Sequence, residues 1–577
     1  MPEPARSDPT RAPNILLILM DDMGWGDLRC HGNAIADTPN LDALAASGLE
    51  AEQFCVSPVC SPTRASVLTG RYYPRTGVSL TGRGYETIRA EEVTLADMLA
   101  AQGYATGCFG KWHNGSYYPY TADGRGFQEF AGFNAGYINH YFDVTLESTS
   151  GPQETEGYLV DVLADQAQDF IFRHRDEPWF CLLPFNVPHL PFQAPDGLYE
   201  KYRARGCHAA LAAVYAMNES ADQAVGRVLA HLARLGLADN TVVTFMSDHG
   251  PNTPRYNAGL RGIKGCLHEG GVRVPFFVRW PGHIPAGSRL TQPAADIDLV
   301  PTLLGLAGLA PPPEVTLDGV NLAESWCSGG ATPGPERLLF GYFENTGTVR
   351  TPTHRLLIPA DARAELYDLA HDPGETMNLL AGQGQNPADL ALAQELRTAY
   401  ETWAQDVGAG KTDRPAIPVG HRQAPVVDVR SLDVDGMTGS LRLGRGWGSQ
   451  NWLTNWTDPD ATMSWRLDVV EADDYDFALR YTCVPGDEGS TLQLEVGEQR
   501  LVVELAESFV PEVSDLPDRV KPRPGPPEQT WGTVEMGRLP LPVGETRMTL
   551  RVLAMPGKAV ADVWAVRITR NSAPVAP

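Results

Sequence analysis

The sequence has no apolar run long enough to cross a bilayer: its first hydrophobic stretch spans only Ile15 to Met20, where a membrane helix needs about 20 residues. The opening MPEPARSDPTR also lacks the apolar centre of an export leader, so the chain reads as cytoplasmic. Positive charge is in short supply, with 46 Lys and Arg against 71 Asp and Glu and a formal charge of −25. That field repels nucleic acid and anionic lipid, so neither is an expected partner. Nine cysteines are scattered along the chain without a CxxC pair, which excludes a disulfide scaffold and leaves reduced thiols as the expectation. What the chain does have is 577 residues, 43% of them hydrophobic, enough for two or three domains with cores of their own.

Apolar patterning divides the chain. Asn14-Ile-Leu-Leu-Ile-Leu-Met20 runs straight into Asp21-Asp22, the mark of a buried parallel strand with a polar carboxyl end. Thr38 to Gly48 reads as a helix, with Thr38 as N-cap, Pro39 in the first turn and Gly48 as its stop. The alternation continues with a helix over 95–102, a strand over 104–109, a long helix over 209–235 and a strand over 241–246 that ends in Ser247-Asp248-His249-Gly250. This predicts an α/β fold, a mostly parallel sheet sandwiched by helices. Ligands in such sheets bind beyond the carboxyl ends of the strands, where both acidic clusters fall. Residues 12–315 form this unit. Over 316–424, short strands at 337–342, 354–357 and 365–369 and a helix over 387–403 predict a small antiparallel subdomain. From 425 to 577 helical periodicity gives way to alternating strands, the signature of an all-β sandwich. The Pro-rich stretch 516–527 reads as an exposed loop within it.

The residues that carry chemistry are Cys60-Ser-Pro-Thr-Arg64, Asp21-Asp22, Gly110-Lys111-Trp112-His113, Pro188-His189, Asp248-His249-Gly250 and Gly262-Ile-Lys264-Gly265. Together they resemble the sulfatase family of the alkaline phosphatase superfamily, over roughly residues 12–410. A late marker, Glu365-Leu-Tyr-Asp-Leu369-Ala-His-Asp-Pro-Gly-Glu375, belongs to the same resemblance. It implies that Cys60 is oxidised to formylglycine by a formylglycine-generating enzyme. The hydrated aldehyde is then the nucleophile, and the reaction runs through a sulfated-enzyme hemiacetal. It further implies one divalent metal ion held by Asp21, Asp22, Asp248, His249 and the modified Cys60. Hard carboxylate oxygens favour calcium. His249 departs from the Asn common in the family, and its imidazole keeps manganese open, while the carboxylates leave magnesium open as well. Carried over by the same resemblance, Arg64 steadies the hydrate, and Lys111 contacts the hydrate and the sulfate. His113 is the base that expels sulfate, while His189 and Lys264 bind sulfate and stabilise the leaving alcohol. Glu269 is read as a brace for its loop.

The expected activity is hydrolysis of aryl or carbohydrate sulfate monoesters. One alternative is a phosphonate monoester or phosphodiester hydrolase with the same nucleophile. Another, from a different class, is an inactive carbohydrate-binding protein. The aromatic stretch 114–142 and Arg255-Tyr256 are open to a leaving-group rim or to ordinary packing. Trp447, Trp452, Trp456 and Trp465 in the tail are open to core packing, sugar platforms or a homo-oligomer contact.

Overall fold

The computed structural model describes residues 11–444 and 451–571. Among them, a ten-stranded sheet carries the catalytic half, and its centre is parallel. The Asn14–Met20 strand lies between Trp179–Pro184 and Thr241–Ser247, parallel to both, and Ala105–Lys111 follows beside Trp179–Pro184. Every residue of these four strands is buried, which is why their sequences are nearly continuous apolar runs rather than alternations. Helices cover both faces of the sheet, and their apolar sides form two cores that meet at its odd and even residues: Leu16 and Ile18 on one side, Ile15 and Leu17 on the other.

The expected mostly parallel sheet is thus mixed at its margins, where Phe276–Arg279 and Thr145–Ser148 run antiparallel to their neighbours. Those strands are four residues long, too short to carry a periodic signal. The expected cap on the Pro39–Ala46 helix also differs, since Thr38 makes no side-chain cap. Asp222, on the Ala209–Arg234 helix, accepts from the backbone N–H groups of Asn40 and Leu41 instead, so a distant carboxylate satisfies the helix's open donors.

A four-stranded antiparallel sheet spans 339–368, with Pro387–Val407 packed on it as its helix. Beyond it two six-stranded sheets face each other across a single apolar core, the sandwich expected from the alternation. The stretch 516–527 is a loop with Pro517, Lys521, Pro522 and Pro524 exposed, as expected, but the rest of it is buried or half-buried against its neighbours. Arg519 donates to Ala194 O, Gln193 donates to Asp518 Oδ1 at 2.8 Å, and Arg523 reaches Asn139 O. Its charged side chains tie the sandwich to the catalytic half.

Candidate functional site

The neighbouring parallel strands Thr241–Ser247, Asn14–Met20, Trp179–Pro184 and Ala105–Lys111 end together, and that register builds the site. Met20 pairs with Ser247, so Asp21 and Asp22 emerge beside Asp248 and His249. Asp248 N–H donates to Met20 O, and Asp22 N–H donates to Asp248 Oδ1. Asp22 sits at φ +74°, a turn that brings the two consecutive carboxylates to one place. Lys111 is the last residue of its strand, and its Nζ lies 2.7 Å from Asp21 Oδ2.

Cys60 opens the Cys60–Thr69 helix, whose residues are all buried. The free N–H groups and dipole of that end favour an anion. Arg64, one turn on, shares its face. Arg64 donates to Asp248 Oδ2 from Nε at 3.2 Å and Nη2 at 3.0 Å, and to Lys111 O from Nη1 at 2.9 Å. Lys264 Nζ stands 2.6 Å from Asp22 Oδ1 and 3.4 Å from Cys60 Sγ. His249 Nε2 lies 3.3 Å from the same sulfur. All ten predicted residues therefore fall at one end of the sheet.

The electrostatics follow from this crowding. Burial opposes ionisation of the Cys60 thiol, yet Lys111, Lys264, His249 and His113 together hold it well below its ordinary value. Burial pushes Asp248 up, only partly offset by His249, because three carboxylates share a dry space. Asp21 is pulled below the usual carboxylate range by Lys111 in spite of its burial. Burial and neighbouring Lys111 lower His113 to about 4, so its imidazole is neutral near pH 7. His113 Nε2 donates to Thr81 O at 3.0 Å, which leaves Nδ1 as the acceptor, and the side chain meets Cys60.

The donor set suits a hard divalent cation. Oxygens of Asp21 and Asp248, the Cys60 sulfur and a His249 nitrogen all lie within 4.8 Å of one another, as do ligand atoms of Asp21, Asp22, Cys60 and His189. Asp21 Oδ1 is buried with no hydrogen-bond partner, an expensive state unless something positive faces it. His249 Nδ1 donates to Gly250 O at 2.9 Å, which directs Nε2 at the carboxylates of Asp22 and Asp248.

Supporting residues escaped the sequence reading. Asn252 donates to Asp22 Oδ2 at 2.6 Å, and Asp27 holds Arg255 in a fully buried two-pronged pair at 2.7 Å. Arg255 is thereby a brace for the acidic turn and no part of a rim. Asn252 lies four residues beyond Asp248 in a polar loop, the one signal that pointed to it. Glu269 does brace its loop. Its carboxylate pairs with Arg350 and Arg355 of the small antiparallel sheet, and Glu375 accepts from Glu269 N–H at 2.7 Å. In the aromatic stretch, Phe127 and Phe130 are core, and Tyr117 donates to Asp433 at 2.6 Å. Tyr137 stands edge-on to His189 with ring centroids 6.1 Å apart. Trp456 and Trp465 are buried in the sandwich core, while Trp447 lies outside the described residues.

The Sulfatase family model matches residues 13–309, and a model of the N-sulphoglucosamine sulphohydrolase C-terminal region matches 263–402. Human arylsulfatase A is 33% identical over 457 residues, covering 67% of this chain and 87% of that protein. N-acetylgalactosamine-6-sulfatase of Sus scrofa is 33% identical over 377 residues, covering 58% and 69%. A crystal structure solved with a k-i-k-neocarrahexaose superposes with a TM-score of 0.64 at 27% identity, covering 69% of this chain and 93% of that one. A sulfatase from Pseudoalteromonas sp. shares the fold, with a TM-score of 0.59 at 23% identity, over 70% and 92%.

These relatives correct the cytoplasmic expectation. Arylsulfatase A, steryl-sulfatase and N-acetylgalactosamine-6-sulfatase are lysosomal or endoplasmic-reticulum proteins. No helix among the described residues is long and apolar enough to cross a membrane. With the family model spanning the parallel sheet and arylsulfatase A aligned over most of its own length, the chain belongs to the sulfatase family and is a sulfuric ester hydrolase.

Proposed function

We propose that the chain hydrolyses sulfate monoesters of carbohydrate or aryl alcohols with a formylglycine derived from Cys60 and one divalent metal. The observation that carries this is the convergence of Cys60 with Asp21, Asp248 and His249 inside 4.8 Å, flanked by two lysines. Asp21, Asp22, Asp248 and His249 would hold the ion, with the modified residue 60 completing the set. Calcium fits the oxygen-rich donors best, and manganese suits the imidazole. Bound there, the ion would neutralise the sulfate and lower the nucleophile's pKa. Hydrated formylglycine would supply two hydroxyls on one carbon: one oxygen would attack sulfur and later leave with it as sulfate when its C–O bond breaks, while the other would lose its proton and become the regenerated aldehyde oxygen, so that water need not attack sulfur again.

The remaining roles belong to the chain's own side chains. Arg64 and Lys111 hold the nucleophile's oxygens, Arg64 itself fixed by Asp248 and Lys111 O. Lys264, half-buried and kept charged by Asp22 and Cys60, faces the sulfate oxygens and the leaving alcohol together with His189. His113, neutral and in contact with residue 60, accepts the proton released as sulfate departs. Residues 12–315 would carry the chemistry, 316–424 would hold the Lys264 loop through Glu269, and 425–577 would form the sandwich extension. A carbohydrate leaving group is favoured because the similar structure described above was solved with a neocarrahexaose. The test is kcat/KM for an aryl sulfate before and after Cys60→Ala, with the mass of the peptide bearing residue 60 determined in the same preparation. Activity should vanish with the substitution, and retention of more than a trace would end the proposal.

A further inference from the structure

The sandwich does more than close off the end of the chain. Where it meets the catalytic half there is a cavity of about 290 Å³, near the small end of the roughly 300–1,000 Å³ range of ligand pockets. Three tryptophans of the sandwich line it: Trp452, Trp531 and Trp564. Trp531 and Trp564 are stacked with centroids 6.2 Å apart, and Trp452 stands edge-on to Trp531 at 5.3 Å. Trp564 projects from the outer face of its sheet, where Arg480 lies over its ring at 5.5 Å. Trp531 and Trp564 remain half-exposed, unlike Trp456 and Trp465, which fill the core. Burying apolar rings inside and leaving these at a cavity wall is costly unless something covers them.

The opposite wall belongs to residues 133–147 of the catalytic half, and this segment also touches the proposed catalytic histidines. The Cα of Gly136 faces the His113 ring so closely that a side-chain carbon there would lie 2.0 Å from Nε2. Tyr137 meets His189 edge-on and also lines the cavity. His140, three residues on, pairs with Glu528 of the sandwich at 2.5 Å on the same wall. One short stretch therefore leads from the catalytic centre to the tryptophans.

We infer that the junction cavity binds sugar rings flanking the sulfated residue, so that Trp531 and Trp564, with Tyr137 at the near end, form a subsite for an oligosaccharide leaving group. The inference rests on the sulfatase reading of the catalytic centre. Aromatic faces carry negative charge density and suit the weakly positive C–H face of a pyranose, while the His140–Glu528 pair offers both a donor and an acceptor for hydroxyls. Glu147 and Glu528 on the wall disfavour a densely sulfated ring at this point, so the bound rings are uncharged or sparsely sulfated. Free aryl alcohols do not reach this far.

The test compares 4-nitrophenyl sulfate with sulfated hexasaccharides of carrageenan, chondroitin and heparan type and their matching disaccharides. At least one hexasaccharide should show a KM about tenfold below its disaccharide. Trp531→Ala and Trp564→Ala should each raise that KM by about tenfold, as expected for loss of one stacking ring. Both should leave kcat/KM for 4-nitrophenyl sulfate within twofold, and Trp564→Phe should restore most of the hexasaccharide affinity. Equal KM for every hexasaccharide and its disaccharide would overturn the inference. So would a parallel loss of aryl sulfate turnover, or a change in sedimentation that marks the tryptophans as a subunit contact. Calorimetry in the Cys60→Ser background separates the two readings. Tryptophan-dependent binding of a hexasaccharide supports the subsite even if no sulfate ester is turned over, and turnover without such binding leaves the enzyme standing and the subsite refuted.

Discussion

Gly136→Ala should cripple the enzyme without unfolding it. At this position an added Cβ would lie 2.0 Å from His113 Nε2 and 2.4 Å from both Cδ2 and Cε1. Ordinary contact begins at about 3.5 Å, so the ring must retreat by roughly 1.5 Å or the 135–140 backbone must yield. Either movement breaks the 3.0 Å hydrogen bond from Nε2 to Thr81 O, which fixes the tautomer that leaves Nδ1 as acceptor. A misplacement of about 1 Å in a positioned catalytic group costs around 10²-fold, and overpacking itself costs about 1–3 kcal/mol. The expected result is kcat for 4-nitrophenyl sulfate down at least about 10²-fold, KM changed little, and a melting temperature only a few degrees lower. Steady-state kinetics beside calorimetric melting measures both. A variant with kcat within threefold of the parent would refute the placement of His113 against Gly136, or its role as the base.

Other expectations follow from the same contacts. His113→Ala should spare the first half of the reaction and strand sulfate on the enzyme, so that mass spectrometry finds the residue-60 peptide heavier by one sulfuryl group. Chelation should abolish turnover and lower the melting temperature, because an ion bound only by the folded state stabilises it; calcium or manganese should restore both, and Asp22→Asn should remove the response. Arg355→Ala leaves Glu269 and Glu375 buried beside a missing cation and should cost about 3–5 kcal/mol in denaturant unfolding, with turnover reduced through the Lys264 loop. Burial raises Asp296 to about 8, so the folded state holds a proton that the unfolded state releases near 3.8. Stability at this residue therefore falls as pH rises from about 4 to 8 and is fully lost above. Between pH 6 and 8.5 the melting temperature of the parent should drop by at least about 2 °C more than that of Asp296→Asn.

Much of the site was legible because its residues lie where a local pattern changes. Asp21-Asp22 and Asp248-His249 each terminate an apolar run, and parallel strands that end in register must bring such termini together. Lys111 and His113 follow a third strand in the same way. The sandwich was legible from the alternation at 463–469 and 475–481. Residues whose partners lie far away in sequence were not. Glu269 meets Arg350 and Arg355 only after the small sheet packs on its loop, and nothing in His268-Glu-Gly-Gly271 names an arginine about 80 residues on. Asp222 caps a helix that lies 181 residues before it, so the local Thr38 drew the assignment. Trp531 and Trp564 carry no motif, and they meet only because the strands Gly532–Leu541 and Asp562–Arg570 flank the same strand of one sheet. Prolines in 516–527 spoke of an exposed loop, since composition reports backbone stiffness and is silent on the catalytic surface that Arg519 and Arg523 reach.

The most direct test presents one aryl alcohol as its sulfate, phosphate monoester, phosphodiester and phosphonate to enzyme whose residue-60 peptide has the mass of formylglycine. Sulfate carries one negative charge where a phosphate monoester carries nearly two, and the three cations at Arg64, Lys111 and Lys264 are already shared with Asp21, Asp22 and Asp248. The account predicts the highest kcat/KM for the sulfate. A higher value for the diester or the phosphonate in the same preparation would contradict it.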